Sequence, residues 1–147
     1  MKYDQMIGSA FPLILVATAI AVLGVTGDLF ASSPFVIALQ VAAVGLSVWA
    51  RISFKSGTFR ITATPGVTSI ITLGPYRFIR HPMYSAVLLF VWTAVVSHLS
   101  LLTLAIGVAV TVIVVTRVIV EERLLRTKFP EYLNYSQSTK ALVPFLF

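Results

Sequence analysis

Between Gly74 and Tyr84 the chain packs two arginines, a histidine, two prolines and two tyrosines into one run, Gly-Pro-Tyr-Arg-Phe-Ile-Arg-His-Pro-Met-Tyr. An uncharged stretch follows at once, and cations set against such a stretch are costly to keep near hydrocarbon unless something uses them. A second constellation, Arg117-Val118-Ile119-Val120-Glu121-Glu122-Arg123, closes the last apolar run. Arg117 and Glu121 are four residues apart and therefore share a helix face. Taken singly, the pieces have plain readings. Gly74-Pro75 is a turn signal, Arg77 and Arg80 could bind headgroups, and Arg117 could snorkel to an interfacial pair with Glu121. Together, an arginine, a histidine, tyrosines and carboxylates could hold a polar cofactor from water and accept an amphiphile from a bilayer.

The elements that must position these groups follow from composition. A chain of 147 residues that is 58% hydrophobic and 11% charged, with mean hydropathy +0.96, has more apolar surface than a soluble core of its size can bury. This predicts an all-α integral membrane protein. The uncharged stretches Gln5 to Gly27, Leu29 to Ala50 and Pro82 to Thr116 are compared with the roughly 20 residues needed to cross about 30 Å of hydrocarbon. The third divides at Ser97-His98-Leu99-Ser100. Four transmembrane helices are expected, at about 7–30, 34–53, 83–97 and 101–120. Threaded in that order, all eleven Lys and Arg residues fall on one side, so the positive-inside rule makes both termini and the central loop cytoplasmic. The formal net charge of +6 is then explained by topology and by attraction to anionic headgroups, with no need for nucleic acid.

A single membrane-embedded domain is expected over 1–147. It comprises an N-terminal hairpin (1–53), a cytoplasmic loop (54–82), and a helical hairpin with a C-terminal cap (83–147). The first two helices carry small residues, among them Gly24, Ala42, Ala43 and Gly45, that permit close mutual contact. The apolar run of the first is longer than a signal-peptide core, which favours a retained span. Thr58 to Thr62 and Thr68 to Thr72 resemble short extended segments in a loop too long to be a mere connector. Pro130 suits a first helical position, Tyr132 and Tyr135 suit an interfacial belt, and the Leu142 to Phe147 segment is expected to dip into the interface. Cysteine is absent, which excludes disulfides and thiolate chemistry. His81 and His98, the only histidines, are expected on opposite faces, which makes a histidine-rich metal centre improbable.

From about Thr68 to Pro144 the sequence resembles the isoprenylcysteine carboxyl methyltransferases and their bacterial and archaeal relatives, a signature shared with phospholipid N-methyltransferases. The resemblance rests on Gly-Pro-Tyr-Arg, Arg-His-Pro-Met-Tyr, a helical hairpin, Glu121-Glu122, Phe-Pro-Glu-Tyr and a late proline, in that order. It implies S-adenosylmethionine held in a cytoplasmic pocket under the C-terminal segment. It further implies that Tyr76, His81, Pro82, Met83 and Tyr84 contact the cofactor. Thr68, Ser69, Ile70 and Ile71 match a backbone-contacting stretch, and Glu121 matches the acid that binds the cofactor's amino group. Arg117 matches an arginine associated with a substrate carboxylate; Arg117 and Arg80 are the expected catalytic residues, and Glu122 joins Arg117 on the substrate side. Ala86 and Ile61 depart from residues common in relatives, glycine and glutamine respectively.

The chemistry is consistent with that assignment. A sulfonium that also bears an ammonium and a carboxylate wants an acid, cations and aromatic or apolar walls. Glu121, the Arg80-His81 pair, Tyr76 and Tyr84 offer these. A carboxylate acceptor needs positioning and desolvation, whereas an amine needs a base, for which Glu122 or His81 would serve. The expected activity is therefore methylation of a lipophilic or prenylated acceptor, by carboxyl O-methylation or alternatively by phospholipid N-methylation. A small four-helix multidrug transporter is the reading from another class. The first three spans have no acid within their apolar runs of the kind such a pump requires, and the long basic loop is foreign to one.

Overall fold

The computed structural model describes residues 2–30, 33–53 and 72–143, with side chains from residue 13 onward. Its helices are α1 (Lys2–Thr26), α2 (Pro34–Ser53), α3 (Pro82–Ser97), α4 (Leu101–Lys128) and α5 (Tyr132–Ser138), with a 3-10 turn over Gly74–Arg77. Four of these elements sit close to where hydropathy puts them, and the local reasons are visible. Helix α1 stops before residue 30 because Gly27, at φ +82°, takes the left-handed conformation that closes a helix. Its N–H bonds the Gly24 carbonyl at 3.3 Å, and the Asp28 N–H bonds the Leu23 carbonyl at 2.9 Å. Helix α2 opens on proline, whose missing N–H costs nothing there. Ser100 and Thr103 form a capping box that starts α4 directly after the polar interruption. Helix α4 then continues past the apolar run to Lys128, while Pro130 lies in the turn before α5 and not in its first position.

By length and composition, α2 and α4 are the helices among the described residues able to cross a membrane, and Leu13–Thr26 and α3 are shorter apolar helices. Large apolar side chains such as Val25, Phe35, Ile52 and Leu101 stand exposed around them. Such a surface suits lipid better than water, and it suggests membrane association.

Helix α1 packs along α4, α4 beside α3, and α3 beside α2. Among the described residues, α1 makes its main helix contact with α4 and not with α2, the partner expected from their small residues, and there is open space around Gly45. Val16, Ala19 and Ile20 pack on the valine core of α3 and α4, built from Val91, Val95, Val110, Val114 and Val118. The physical reason is that α4 carries no charge up to Thr116, is apolar on every face there and can bury a second neighbour. Small residues of α2 do bury, Ala43 and Ala50 among them, with α3 as the neighbouring helix.

Residues 54–71 and 144–147, and with them most of the expected extended segments and the end of the C-terminal run, lie outside the described residues. Leu142, expected in the interface, instead joins the core. It is drawn there by a short parallel pairing of Ile79 with Lys140. Lys140 N–H donates to the Phe78 carbonyl at 3.3 Å, Arg80 N–H to the Lys140 carbonyl at 2.8 Å, and His81 N–H to the Ala141 carbonyl at 3.0 Å. The end of the chain is thereby laid beside the basic cluster, 60 residues away in sequence.

Candidate active site

The turn that carries the cluster depends on Gly74. Its φ of +61° suits glycine, and a Cβ there would collide with the Ser53 hydroxyl at the end of α2. Pro75 follows as the second residue of the 3-10 turn, which packs on α2. The residue before a proline is kept out of the helical region, so His81, at φ −123° and ψ 59°, stands at the mouth of α3 and not within it. Pro82 is buried and Met83 half-buried in the first turn of α3. Tyr84 stacks on His81, with ring centroids 5.8 Å apart and planes at 26°.

Opposite, α4 presents two adjacent carboxylates that divide the cluster between them. Glu121 Oε1 accepts the Tyr84 hydroxyl at 2.7 Å and lies 3.0 Å from Arg117 Nε, which also donates to the Tyr84 hydroxyl at 2.5 Å. Glu122 Oε1 accepts from Arg80 Nε at 2.7 Å, His81 Nε2 at 3.1 Å and the Tyr132 hydroxyl at 2.7 Å. His81 bridges the two, since its Nδ1 lies 3.6 Å from Glu121 Oε2. Because an ionised carboxylate can only accept, Nε2 of His81 carries a proton toward Glu122, so that in the neutral ring it is Nδ1 that holds the lone pair. Glu122 Oε2 is buried and has no hydrogen bond among the described residues; the half-exposed Arg126 guanidinium is 3.5 Å away, within ion-pair distance.

Arg80 is the tie to the C-terminal segment. Its Nη1 donates to the Ser136 carbonyl at 2.9 Å and to the Thr139 carbonyl, while the Ser85 hydroxyl donates to the Leu142 carbonyl. Tyr135 donates to the Tyr76 carbonyl at 2.6 Å, closing the same seam from α5. Tyr132 is 2% exposed and Tyr135 half-buried, so they are not the interfacial belt that their sequence suggests. A tyrosine four residues into a polar segment looks amphipathic from sequence; only the position of Glu122 shows where its hydroxyl goes. Burial pushes the Tyr76 and Tyr132 hydroxyls well above the ordinary tyrosine range, with the neighbouring Glu122 adding to the effect at Tyr132. Burial pushes Tyr135 up to about 12. All three therefore stay neutral, and Tyr132 and Tyr135 act as hydrogen-bond donors.

Thus Tyr76, Arg80, His81, Pro82, Met83, Tyr84, Arg117, Glu121 and Glu122 are gathered at one end of the bundle, while Thr68, Ser69, Ile70 and Ile71 lie outside the described residues. Tyr132, Tyr135, Ser85 and Thr139 were not singled out for this role by sequence reasoning. The signal available for them was the Phe-Pro-Glu-Tyr motif, whose tyrosine is Tyr132. A cleft of about 510 Å³ opens between α4 and the segment 136–142, with Arg80 and Glu122 in its wall. Among the described residues no three His, Asp or Glu side chains group as metal ligands.

Residues 30–132, well over half of the chain, match the family described as phospholipid methyltransferase. No curated protein and no solved structure matches it. The matched region runs from the end of α1 to Tyr132 and contains both carboxylates and the whole Gly74 to Tyr84 cluster, so the sequence motifs and the assembled site point the same way. The chain belongs to the phospholipid methyltransferase family.

Proposed function

We propose that the protein is a multi-pass membrane methyltransferase that uses S-adenosylmethionine, with its site on the cytoplasmic face, and methylates the amine of a lipophilic acceptor. Membership of the family implies membrane methyltransferase activity, and its members generally use this cofactor. Four crossings remain our reading of the hydropathy, and the one-sided distribution of the eleven basic residues supports the orientation.

The residues fit the cofactor. Glu121 Oε1 is bonded to Tyr84 and near Arg117, and Oε2 lies 3.6 Å from His81 Nδ1, which places the acid beside the stacked His81 and Tyr84 rings. An acid beside aromatic faces suits a cation that carries an ammonium group. When bound, S-adenosylmethionine supplies an electrophilic methyl on a sulfonium. Glu121 would receive the ammonium, Tyr84 and His81 would wall the cofactor, and Tyr76 would line the approach.

The single observation that carries the amine reading is the orientation of His81. Glu122, fixed by Arg80 and Tyr132, holds Nε2–H, which leaves Nδ1 to take a proton from an acceptor ammonium, and Glu121 is placed to stabilise the resulting imidazolium. This is the arrangement by which a carboxylate orients a general base. A neutral amine then has the lone pair that displacement requires. Carboxyl methylation of an isoprenylcysteine-like acceptor needs no base. It is favoured by one feature, the buried Arg117 guanidinium, which would have to exchange Glu121 for the acceptor carboxylate. A four-helix multidrug transporter leaves the family match and the His81 geometry without a role.

Calorimetric titration with S-adenosylhomocysteine should show binding by the native protein and loss in Glu121→Ala. Labelled methyl should pass to phosphatidylethanolamine in preference to N-acetylfarnesylcysteine, and His81→Gln should suppress the transfer more than the binding. No binding by the native protein would sink the methyltransferase reading. Transfer to the farnesylcysteine alone would sink the amine.

A further inference from the structure

The cleft between α4 and the C-terminal segment shares Arg80 and Glu122 with the candidate site, but His81, Tyr84, Arg117 and Glu121 are not in its wall. Its wall contains Arg80, Arg123, Arg126 and Lys140 against one carboxylate, Glu122. Arg80 is committed to Glu122 at 2.7 Å, whereas Arg123 and Lys140 are exposed and have no ion pair among the described residues. Below them the same wall is apolar, with Val115, Ile119 and Leu142. On α4 the positions 115, 119, 122, 123 and 126 follow the i, i+4, i+7 spacing of a single face. An apolar track on that face therefore leads straight to a ring of cations where the uncharged run ends. Lys140 comes from the C-terminal segment and the two arginines from α4, so like charges meet across the cleft, where Glu122 is the one carboxylate and is already paired with Arg80 and close to Arg126.

We propose that this cleft binds an anionic phospholipid, one whose headgroup carries phosphate and no amine, as an accessory ligand distinct from the methyl acceptor. Its phosphate sits among Arg123, Arg126 and Lys140, and one acyl chain lies along Val115 and Ile119. The bound lipid bridges α4 to residues 139–142, and through the Arg80 and Ser85 contacts it holds the C-terminal segment over His81. The proposal rests on the membrane reading but not on methyl transfer, and binding measures it separately from activity.

The test uses the full-length protein in nonionic detergent, with lipid binding counted by native mass spectrometry and unfolding followed by circular dichroism. Dioleoylphosphatidylglycerol should bind at least tenfold tighter than dioleoylphosphatidylcholine and raise the unfolding temperature. With roughly a fivefold contribution from each cation near an anionic headgroup, the combined Arg123→Gln, Arg126→Gln and Lys140→Gln variant should lose on the order of a hundredfold in affinity. Lys128→Gln, outside the cleft, should bind as the native protein does. If the triple variant does not fold, Arg123→Gln alone, with an expected loss of about fivefold, carries the comparison. Equal binding of the two lipids, or undiminished binding by the charge-removed variant, would overturn the proposal. Full displacement of the lipid by millimolar inorganic phosphate would also overturn it, since the site would then take a free anion and not a lipid.

Discussion

Glu121 and Glu122 are adjacent in sequence, yet the structure gives them opposite duties, and substituting each by glutamine separates them. Glu122 accepts three hydrogen bonds on one oxygen, two from the cationic or potentially cationic Arg80 and His81, and its side chain and that of Arg80 are only 12% and 11% exposed. Glutamine keeps the shape and can still accept from Tyr132, but it withdraws the charge from Arg80. A hydrogen bond to a charged group contributes about 1.5–3 kcal/mol, and breaking a buried pair by removing one partner costs about 3–5 kcal/mol. Arg80 retains the Ser136 and Thr139 carbonyls, which favours the lower end. We expect Glu122→Gln to destabilise by about 2–3 kcal/mol, which at about 2–4 °C per kcal/mol lowers the unfolding temperature by roughly 4–12 °C. Tyr132→Phe in the same assay should couple to it, with an interaction energy above ~0.5 kcal/mol in a double-mutant cycle. Glu121→Gln keeps its Tyr84 bond, so its unfolding temperature should fall by less than half as much while S-adenosylhomocysteine binding is lost. A larger thermal loss for Glu121→Gln than for Glu122→Gln would refute the division of labour.

Gly74→Ala should destabilise by at least about 1–2 kcal/mol from the left-handed backbone alone, with the Ser53 collision added, and Ser53→Ala in that background should recover part of the loss in thermal unfolding. The Asp28 to His98 pair, 3.8 Å apart with both side chains more than a quarter exposed, should matter little: Asp28→Asn should cost under ~1 kcal/mol by the same measurement. The Tyr76, Tyr132 and Tyr135 hydroxyls have raised folded pKa values, so the stability they contribute is present below the ordinary ~10 and is lost as pH rises toward the folded values, about 12 for Tyr135. Tyrosinate absorbance from these three should therefore appear together with alkaline unfolding, and a reversible titration of all of them near pH 10 in folded protein would contradict their burial.

What the sequence determined by itself is local. Uncharged runs, Gly27, the opening prolines of α2 and α3, and the Ser100 to Thr103 box set where helices begin and end, because capping and backbone bonding are settled within a few residues. The Gly74 to Tyr84 and Arg117 to Glu122 clusters were legible as one site for the same reason, since each lies next to an end of the α3–α4 hairpin. The tertiary structure alone decided how those pieces meet. Helix α4 is apolar all round, so no stripe in its sequence said that α1 would join its core or which carboxylate would point at Arg80. Successive residues on a helix differ by about 100° in direction, and that rotation separates Glu121, beside Tyr84 and Arg117, from Glu122, beneath Tyr132. The burial of Tyr132 and the pairing of Lys140 with Ile79 depend on a chain end returning across 60 residues. No local pattern encodes that return; it follows from which faces pack.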